Sequence, residues 1–275
     1  MSLFNSGVRP IIDDFLLEEA KKTRDYGEYW SASSAGYCMR KNIFDRLGLP
    51  HTGEDDPRKQ RVFTAGHIFH DWIQELTRKA GVSVAQEVEL QDEELMIRGH
   101  FDDLIAIEYG DDKPATHLIL YDYKTVNSRS FMWAKKNDNT MSHYHKMQLL
   151  TYMYILRKHP TQIEGHGFVP DSIFDLLHKP EFIEARILKI EKDALMMMEQ
   201  QLLWTADLEK EVVGYWKTLN GYWSKKLVPK CTCEDYEGGF MAKEKFNPFY
   251  YQDEPCSTKW LAKHKELAEG WKVQP

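Results

Sequence analysis

The chain is poor in cysteine, has no long apolar run and carries no surplus of positive charge, and each shortage excludes something. Four cysteines in 275 residues are too few for a disulfide-dense secreted scaffold. No uninterrupted apolar stretch approaches the ~18 residues of a membrane span, so no membrane association is expected. Asp and Glu outnumber Lys and Arg by 43 to 36, a formal net charge of −7. The molecule as a whole therefore repels polyanions, and a phosphate-bearing partner has to be met by a local cluster of cations. The opening stretch MSLFNSGVRPIIDDFLLEEA lacks a charged-then-apolar leader and a small-residue cleavage site. Secretion is not expected, and in a cytosolic setting free thiols or metal thiolates are favoured over disulfides. There is no internal repeat and no low-complexity stretch.

What is present is ample core material, 42% hydrophobic with 13% aromatic residues, enough for one sizeable domain. Helices are expected over 11–24 and 37–47, the second closed by Gly48 and Pro50, and over the apolar-periodic stretch RVFTAGHIFHDWIQELTRKAG up to Gly81. Segments 83–90, 95–107, 117–125 and 182–190 have strand character, and HYHKMQLLTYMYILRKH is a helix ending before Pro160. A long helix is expected from Asp193 to Trp223, broken near Gly214 or Gly221. The last fifty residues read as irregular. The order implies an α/β (α+β) fold with a central mixed sheet flanked by helices.

One strand raises a question. In LILYDYKTVNS the apolar run is interrupted by Asp122 and Lys124, whose spacing of two puts carboxylate and ammonium on one face. An ion pair at a sheet edge is one reading, and a metal site with a lysine beside it is the other. A hairpin turning at Asp112 would pair residues whose numbers sum to 224, placing Asp102 opposite Asp122 with Cβ atoms about 4.5–5.5 Å apart. Two carboxylates that close require a proton or a shared cation, and oxygen ligands suit Mg²⁺ or Mn²⁺. Asp103 faces the other side and is expected to be a structural acid.

Around this pair lie Gly99-x-x-Asp102, then Asp122-x-Lys124, with Gly66-x-x-x-His70 upstream and Gln148-x-x-x-Tyr152 downstream on a helix. In this order the four motifs resemble the PD-(D/E)XK nuclease superfamily, in particular its RecB-like exonuclease branch. That branch includes the CRISPR-associated four-cysteine exonucleases and the nuclease domain of AddB. The resemblance covers residues 36–156 and the trailing cysteines, and it implies a restriction-endonuclease-like core. It implies metal ligation by His70, Asp102, Asp122 and the Tyr123 carbonyl, a water-orienting role for Lys124, and an active-site lining from Gln148 and Tyr152. Each has a plainer reading: His70 as a half-buried core histidine, Gln148 and Tyr152 as a helix face packed on the sheet. His67 and Asp71 share the His70 helix and make a candidate supporting pair. The imidazole favours Mn²⁺ over a pure oxygen cage.

The cysteines are Cys38, Cys231, Cys233 and Cys256. One precedes the nuclease-like core and three follow it, the distribution that binds a [4Fe–4S] cluster in the four-cysteine branch. Here 22 residues separate Cys233 from Cys256, and Cys231-x-Cys233 is tighter than C-x-x-C, so zinc in a Cys₄ site is the alternative. Either metal would staple segments 30–50 and 226–260 into one lobe beside a core over 60–190, within a single nuclease domain.

For DNA, the candidate phosphate and base contacts are Arg40 and Lys41; Arg58, Lys59 and Arg61; and a loop over 126–140 carrying Arg129, Phe131, Trp133, Lys135 and Lys136, where cations alternate with aromatics. The resemblance implies a metal-dependent deoxyribonuclease acting as an exonuclease on single strands or DNA ends in a bacterial, archaeal or phage-infected cell. It would work beside recombination, replication or CRISPR-adaptation proteins. A structure-specific endonuclease and a non-cleaving module that holds DNA ends are the rival readings.

Overall fold

A computed structural model describes residues 7–21, 27–52, 56–107, 117–137, 141–164, 171–177, 183–235, 242–243 and 247–274. The first helix, α1 (Val8–Lys21), is followed by a short strand β1 (Trp30–Ser31) and α2 (Met39–Arg46). The 23-residue α3 (Pro57–Lys79) starts where its chemistry says it should: Asp56 accepts the Arg58 N–H at 2.8 Å and Pro57 occupies the first turn. It ends two residues before Gly81, whose φ of +70° suits a residue without Cβ.

Strands β2 (Ser83–Asp92), β3 (Ile97–Ile107) and β4 (His117–Val126) form an antiparallel run. Paired residues of β3 and β4, from Asp103–Tyr121 to Ile107–His117, have numbers that sum to 224. The turn expected at Asp112 lies outside the described residues. β5 (Ile183–Glu191) adds parallel to β4, and β6 (Met197–Leu203) closes the sheet antiparallel to β5. The result is a six-stranded mixed sheet, β1-β3-β4-β5-β6, with β2 on the other side of β3. The expected mixed sheet flanked by helices is the architecture found.

Helices cover both faces. On one, Ile73 of α3 packs with Ile119, Tyr121, Tyr123 and Ile190. On the other lies α5 (His143–Lys158), buried along nine of its residues from Met147 to Leu156. Outside it runs α7 (Ala206–Ser224), whose Trp216 donates to the Thr151 hydroxyl at 3.0 Å. α6 (Asp171–Leu177) sits near β4. A parallel pair, β7 (Leu227–Val228) with β8 (Lys272–Val273), ties the tail, and α8 (Thr258–Lys263) lies between. Buried residues of the tail, among them Cys233, Phe249 and Leu261, are continuous with the core under the sheet.

Two expectations are corrected. Residues 193–223 are not one helix: a turn leads into β6, and α7 begins only after Thr205, whose side chain accepts the Leu208 N–H. Met, Leu, Glu and Gln favour helices, but 197–203 finds the open edge of β5 and tertiary pairing wins. Nor is 126–140 a loop: α4 (Ser128–Lys136) occupies its middle, capped by Asn127 accepting the Ser130 N–H at 2.8 Å.

Candidate functional site

The site grows from a fork in the sheet. On one edge, β3 is paired by β1 at Ile97–Arg98 and by β4 from Asp103 onward. Between these stretches β4 leaves β3 and continues against β5 alone, to Val126. Asp102 stands at the parting, one residue beyond the last β3–β4 pair. Its carboxylate accepts the Tyr123 N–H at 2.5 Å, standing in for the carbonyl the ladder would have supplied.

Asp122 lies on the α5 side of the same fork, 2% exposed. Its Oδ1 accepts from Lys124 Nζ at 2.8 Å and from Gln148 Nε2 of α5 at 3.0 Å. Its Oδ2, also 2.8 Å from Lys124 Nζ, is buried and receives no hydrogen bond. From α3, His70 brings Nδ1 to 3.5 Å from the Asp102 carboxylate. Gln74, one turn further on, donates to the Asp102 carbonyl at 3.0 Å and to Glu87 at 2.7 Å.

The electrostatics follow from this crowding. Burial, with the Asp122 charge behind it, holds the Asp102 carboxyl well above the ordinary range. Burial lowers Lys124, but the two aspartates outweigh it and keep the ammonium charged. His70 is pushed down by burial and by Lys124, so its imidazole is neutral and offers a lone pair. Two carboxylates, one of them with an oxygen that receives no hydrogen bond, and a neutral imidazole fit in kind the donor set of a hard divalent cation. Their spacing is looser than a closed shell, because His70, Asp102 and Asp122 do not converge as the four sulfurs described below do.

Asp103 is the opposite kind of acid. Fully buried, it accepts from Thr77 and Ser83 at 2.6 Å, Tyr123 Oη at 2.8 Å and Gln86 at 3.1 Å, a structural set with no capacity to spare. Tyr152 is buried on α5. It packs on Gly99, where a Cβ would meet the Ala32 Cβ at 2.7 Å and the Tyr152 ring at 3.1 Å. Gly99 of Gly99-x-x-Asp102 is thus required by close approach. His67 and Asp71 both lie exposed on α3.

Sequence reasoning missed two neighbours. Glu87, held at φ +49° in β2, bears on both Asp102 and His70. From Ala85 to Asp92 the numbers of β2 residues and their β3 partners sum to 189, which puts it across from Asp102. His145 of α5 is kept neutral by burial and by Lys124, with Nδ1 buried and unpartnered. The β2–β3 register would have found the first; nothing local marks the second.

The expected DNA contacts divide. Arg129, Trp133, Lys135 and Lys136 are exposed on α4, and Arg58 and Lys59 at the start of α3. Phe131, at 3% exposure, belongs to the core. Arg61 pairs with Asp13, and Lys41 with Asp45 at 2.6 Å. Arg40 is corrected: it is buried, its Nε donates to the Pro229 carbonyl at 2.6 Å, and it serves the lobe, not a phosphate.

The second cluster is the four cysteines, brought together from α2 and the tail. All four sulfurs lie within 4.8 Å of one another and could bind a metal; no disulfide links them. Cys233 and Cys256 are 3.5 Å apart, Cys38 and Cys231 4.0 Å. The Thr232 N–H points at Cys38 Sγ, and Asn247 Nδ2 at Cys233 and Cys256, each at 3.4–3.5 Å. The neighbouring thiols, with the Thr232 N–H at Cys38, lower Cys38 and Cys231 toward thiolate, and the same crowding raises Cys233 and Cys256.

Among the described residues no helix is long and apolar enough to cross a membrane. No family model and no curated protein matches the chain. Two solved structures share part of its arrangement. The crystal structure of SSO0001 aligns with TM-score 0.42 and 14% identity over 79% of this chain and 85% of that one. An alkaline exonuclease (LHK-Exo) from Laribacter hongkongensis aligns with TM-score 0.39 and 12% identity over 72% of this chain and 93% of its own. Likeness of this size carries no statement about the chemistry of the fork.

Proposed function

We propose that the chain is a divalent-metal-dependent deoxyribonuclease of the PD-(D/E)XK kind, an exonuclease acting on single strands or DNA ends. The observation that carries this reading is Asp102 and Asp122 facing one fork, with Lys124 against the second carboxylate. His70, Asp102, Asp122 and the Tyr123 carbonyl would hold Mn²⁺ or Mg²⁺. Such a cation supplies charge at a nonbridging phosphate oxygen and makes a water acidic enough to attack near neutral pH.

The protein's own groups do the rest. Gln148 fixes the Asp122 carboxylate through Oδ1. The Tyr123 N–H holds Asp102, and neutral His70 keeps its lone pair available. Lys124, charged and half-buried, is the side chain placed to meet negative charge as it develops on the phosphate. Phosphates of the incoming strand are met by Arg58, Lys59, Arg129, Lys135 and Lys136, and an unstacked base by Trp133. The thiolate centre, as [4Fe–4S] or zinc, is structural.

The test is digestion of end-labelled linear and circular single-stranded DNA with Mn²⁺, Mg²⁺ or chelator, by the wild type and Lys124→Ala. The exonuclease reading expects the linear strand to be lost only with a divalent ion and with Lys124, and the circle to survive. Cutting of the circle reassigns the activity to an endonuclease. DNA-end binding with no cleavage under any metal leaves the end-holding module.

A further inference from the structure

We propose that the four-cysteine centre takes a single tetrahedral Zn²⁺, not a [4Fe–4S] cluster. The inference concerns the tail lobe and does not rest on the nuclease reading, since a structural metal would be needed by a nuclease and by a DNA-holding module alike.

The spacing of the sulfurs matches a single ion. Four thiolates on one Zn²⁺, with Zn–S about 2.3 Å, stand about 3.8 Å from one another at the corners of a tetrahedron. Here Cys233 and Cys256 are 3.5 Å apart, Cys38 and Cys231 are 4.0 Å apart, and all four sulfurs fit within 4.8 Å. In a [4Fe–4S] cluster each thiolate binds a different iron, and four irons with four sulfides lie between the ligands. The sulfurs would have to move apart to admit that body. They have little room to do so: Cys38, Cys233 and Cys256 are each no more than 1% exposed.

The surroundings fit a closed single-ion site. Four protein sulfurs complete the coordination of Zn²⁺ and leave no open position, as structural sites require. The ZnS₄ unit would carry about −2 charge, and donors aim at its sulfurs: Thr232 N–H at Cys38, Asn247 Nδ2 at Cys233 and Cys256. Asn247 is itself 3% exposed and braced, its Oδ1 accepting the Phe249 N–H at 3.0 Å. Cys256, at φ +46°, adopts a left-handed backbone that turns its thiol toward the other three. Close C-x-C spacing and a distant fourth ligand thus converge because the tail folds back over α2.

The test uses the full-length chain purified anaerobically, with metal and acid-labile sulfide measured per chain. One zinc per chain, no labile sulfide and no broad visible absorption are expected. X-ray absorption at the zinc edge should give four sulfurs at about 2.3 Å. Because aerobic handling can replace iron with zinc, the stripped protein is also offered iron and sulfide under anaerobic reduction. It is expected to form no stable cluster, while Co²⁺ restores the visible bands of a tetrahedral thiolate site. Four irons with four sulfides per chain, either as purified or after reconstitution, overturn the proposal. So does one iron without sulfide, or a chain whose four thiols all react with an alkylating probe and hold no metal. Asn247→Ala, which leaves every ligand in place, should retain zinc stoichiometry and release the metal to a chelator several-fold faster. Unchanged release would show that the Asn247 amide does not hold the metal-bound sulfurs.

Discussion

The fork at Asp102 and the cysteine lobe are both assembled from distant segments, yet they are built on opposite plans. At the fork, one oxygen of Asp122 is left without a hydrogen bond, Asp102 is forced toward its neutral form, and the donors do not close on a point. In the lobe every ligand sulfur is drawn within 4.8 Å of the others and N–H groups are aimed at them. An open, electrostatically unsatisfied cluster suits chemistry that needs a vacant position and a changing charge. A closed and satisfied one suits a staple. Unfavourable electrostatics are tolerated in one place because packing elsewhere outweighs them.

The largest effect should come from the staple. Cys38→Ser removes a ligand that joins α2 to the tail, and loss of a structural metal costs more than about 4 kcal/mol. A fall in Tm of ten degrees or more, with limited proteolysis concentrated after residue 226, is the expected outcome. An unchanged melt would mean that the lobe does not depend on its thiolates. Lys124→Ala should do the reverse, lowering cleavage about 10²–10³-fold while lowering Tm by much less than Cys38→Ser does. If its Tm fell as far as that of Cys38→Ser, the contrast between the two regions would fail.

How far the sequence reached differs between the two regions for a physical reason. The fork was legible because strand register is arithmetic: period-two alternation and a turn at Asp112 place Asp102 opposite Asp122, and β3–β4 keep that register. Glu87 was harder, since only the β2–β3 register reveals it and a positive φ at that residue interrupts the alternation along β2. β6 was missed because residues such as Met198 and Gln201 are helix formers whose strand state depends on β5, which no local pattern announces. Arg40 looked like a phosphate contact by composition. Only the tail folding back, with the Pro229 carbonyl against its guanidinium, shows that it is a buried brace. The cysteines declared their distribution in sequence but not their separations, and it is on the separations that the proposal of zinc rests.

A next pair of variants compares two aspartates of opposite character, one fully buried and one partly so. Asp92 is pushed up by burial, but Lys158, the Leu95 N–H and His159 outweigh this and hold its carboxyl below the usual range. Its contribution to stability is complete above the unfolded pKa near 4 and is lost as pH falls through the lower folded value. Asp92→Asn should therefore destabilise at neutral pH, by about 1.5–3 kcal/mol for hydrogen bonds to a charged group, and flatten the acid limb of Tm against pH. Asp102 has the opposite sign. Its folded carboxyl is raised by burial and by Asp122, so the metal-free protein loses stability as pH climbs from about 4 toward that raised value. Asp102→Asn should raise Tm at pH 7 in chelator, since an amide oxygen can still accept the Tyr123 N–H. A destabilised Asp102→Asn would show that the fork is not under electrostatic strain.

The smallest effect tests how DNA reaches the fork. Arg129, Lys135 and Lys136 project from α4, which follows directly from the strand that carries Asp122 and Lys124. With net charge −7 the molecule has no general attraction for phosphate, so a local patch must carry most of the salt dependence. Replacing all three cations with alanine should weaken binding of single strands and reduce the slope of log K against log salt by about 2. Fluorescence anisotropy of a labelled oligonucleotide across a salt series, in chelator so that nothing is cut, measures both. Trp133→Ala should lower affinity by about 1–3 kcal/mol per stacked base without altering the slope, because stacking releases no counterions. A triple variant with an unchanged slope would move the path of the strand to Arg58 and Lys59 on α3, the other helix that borders the fork.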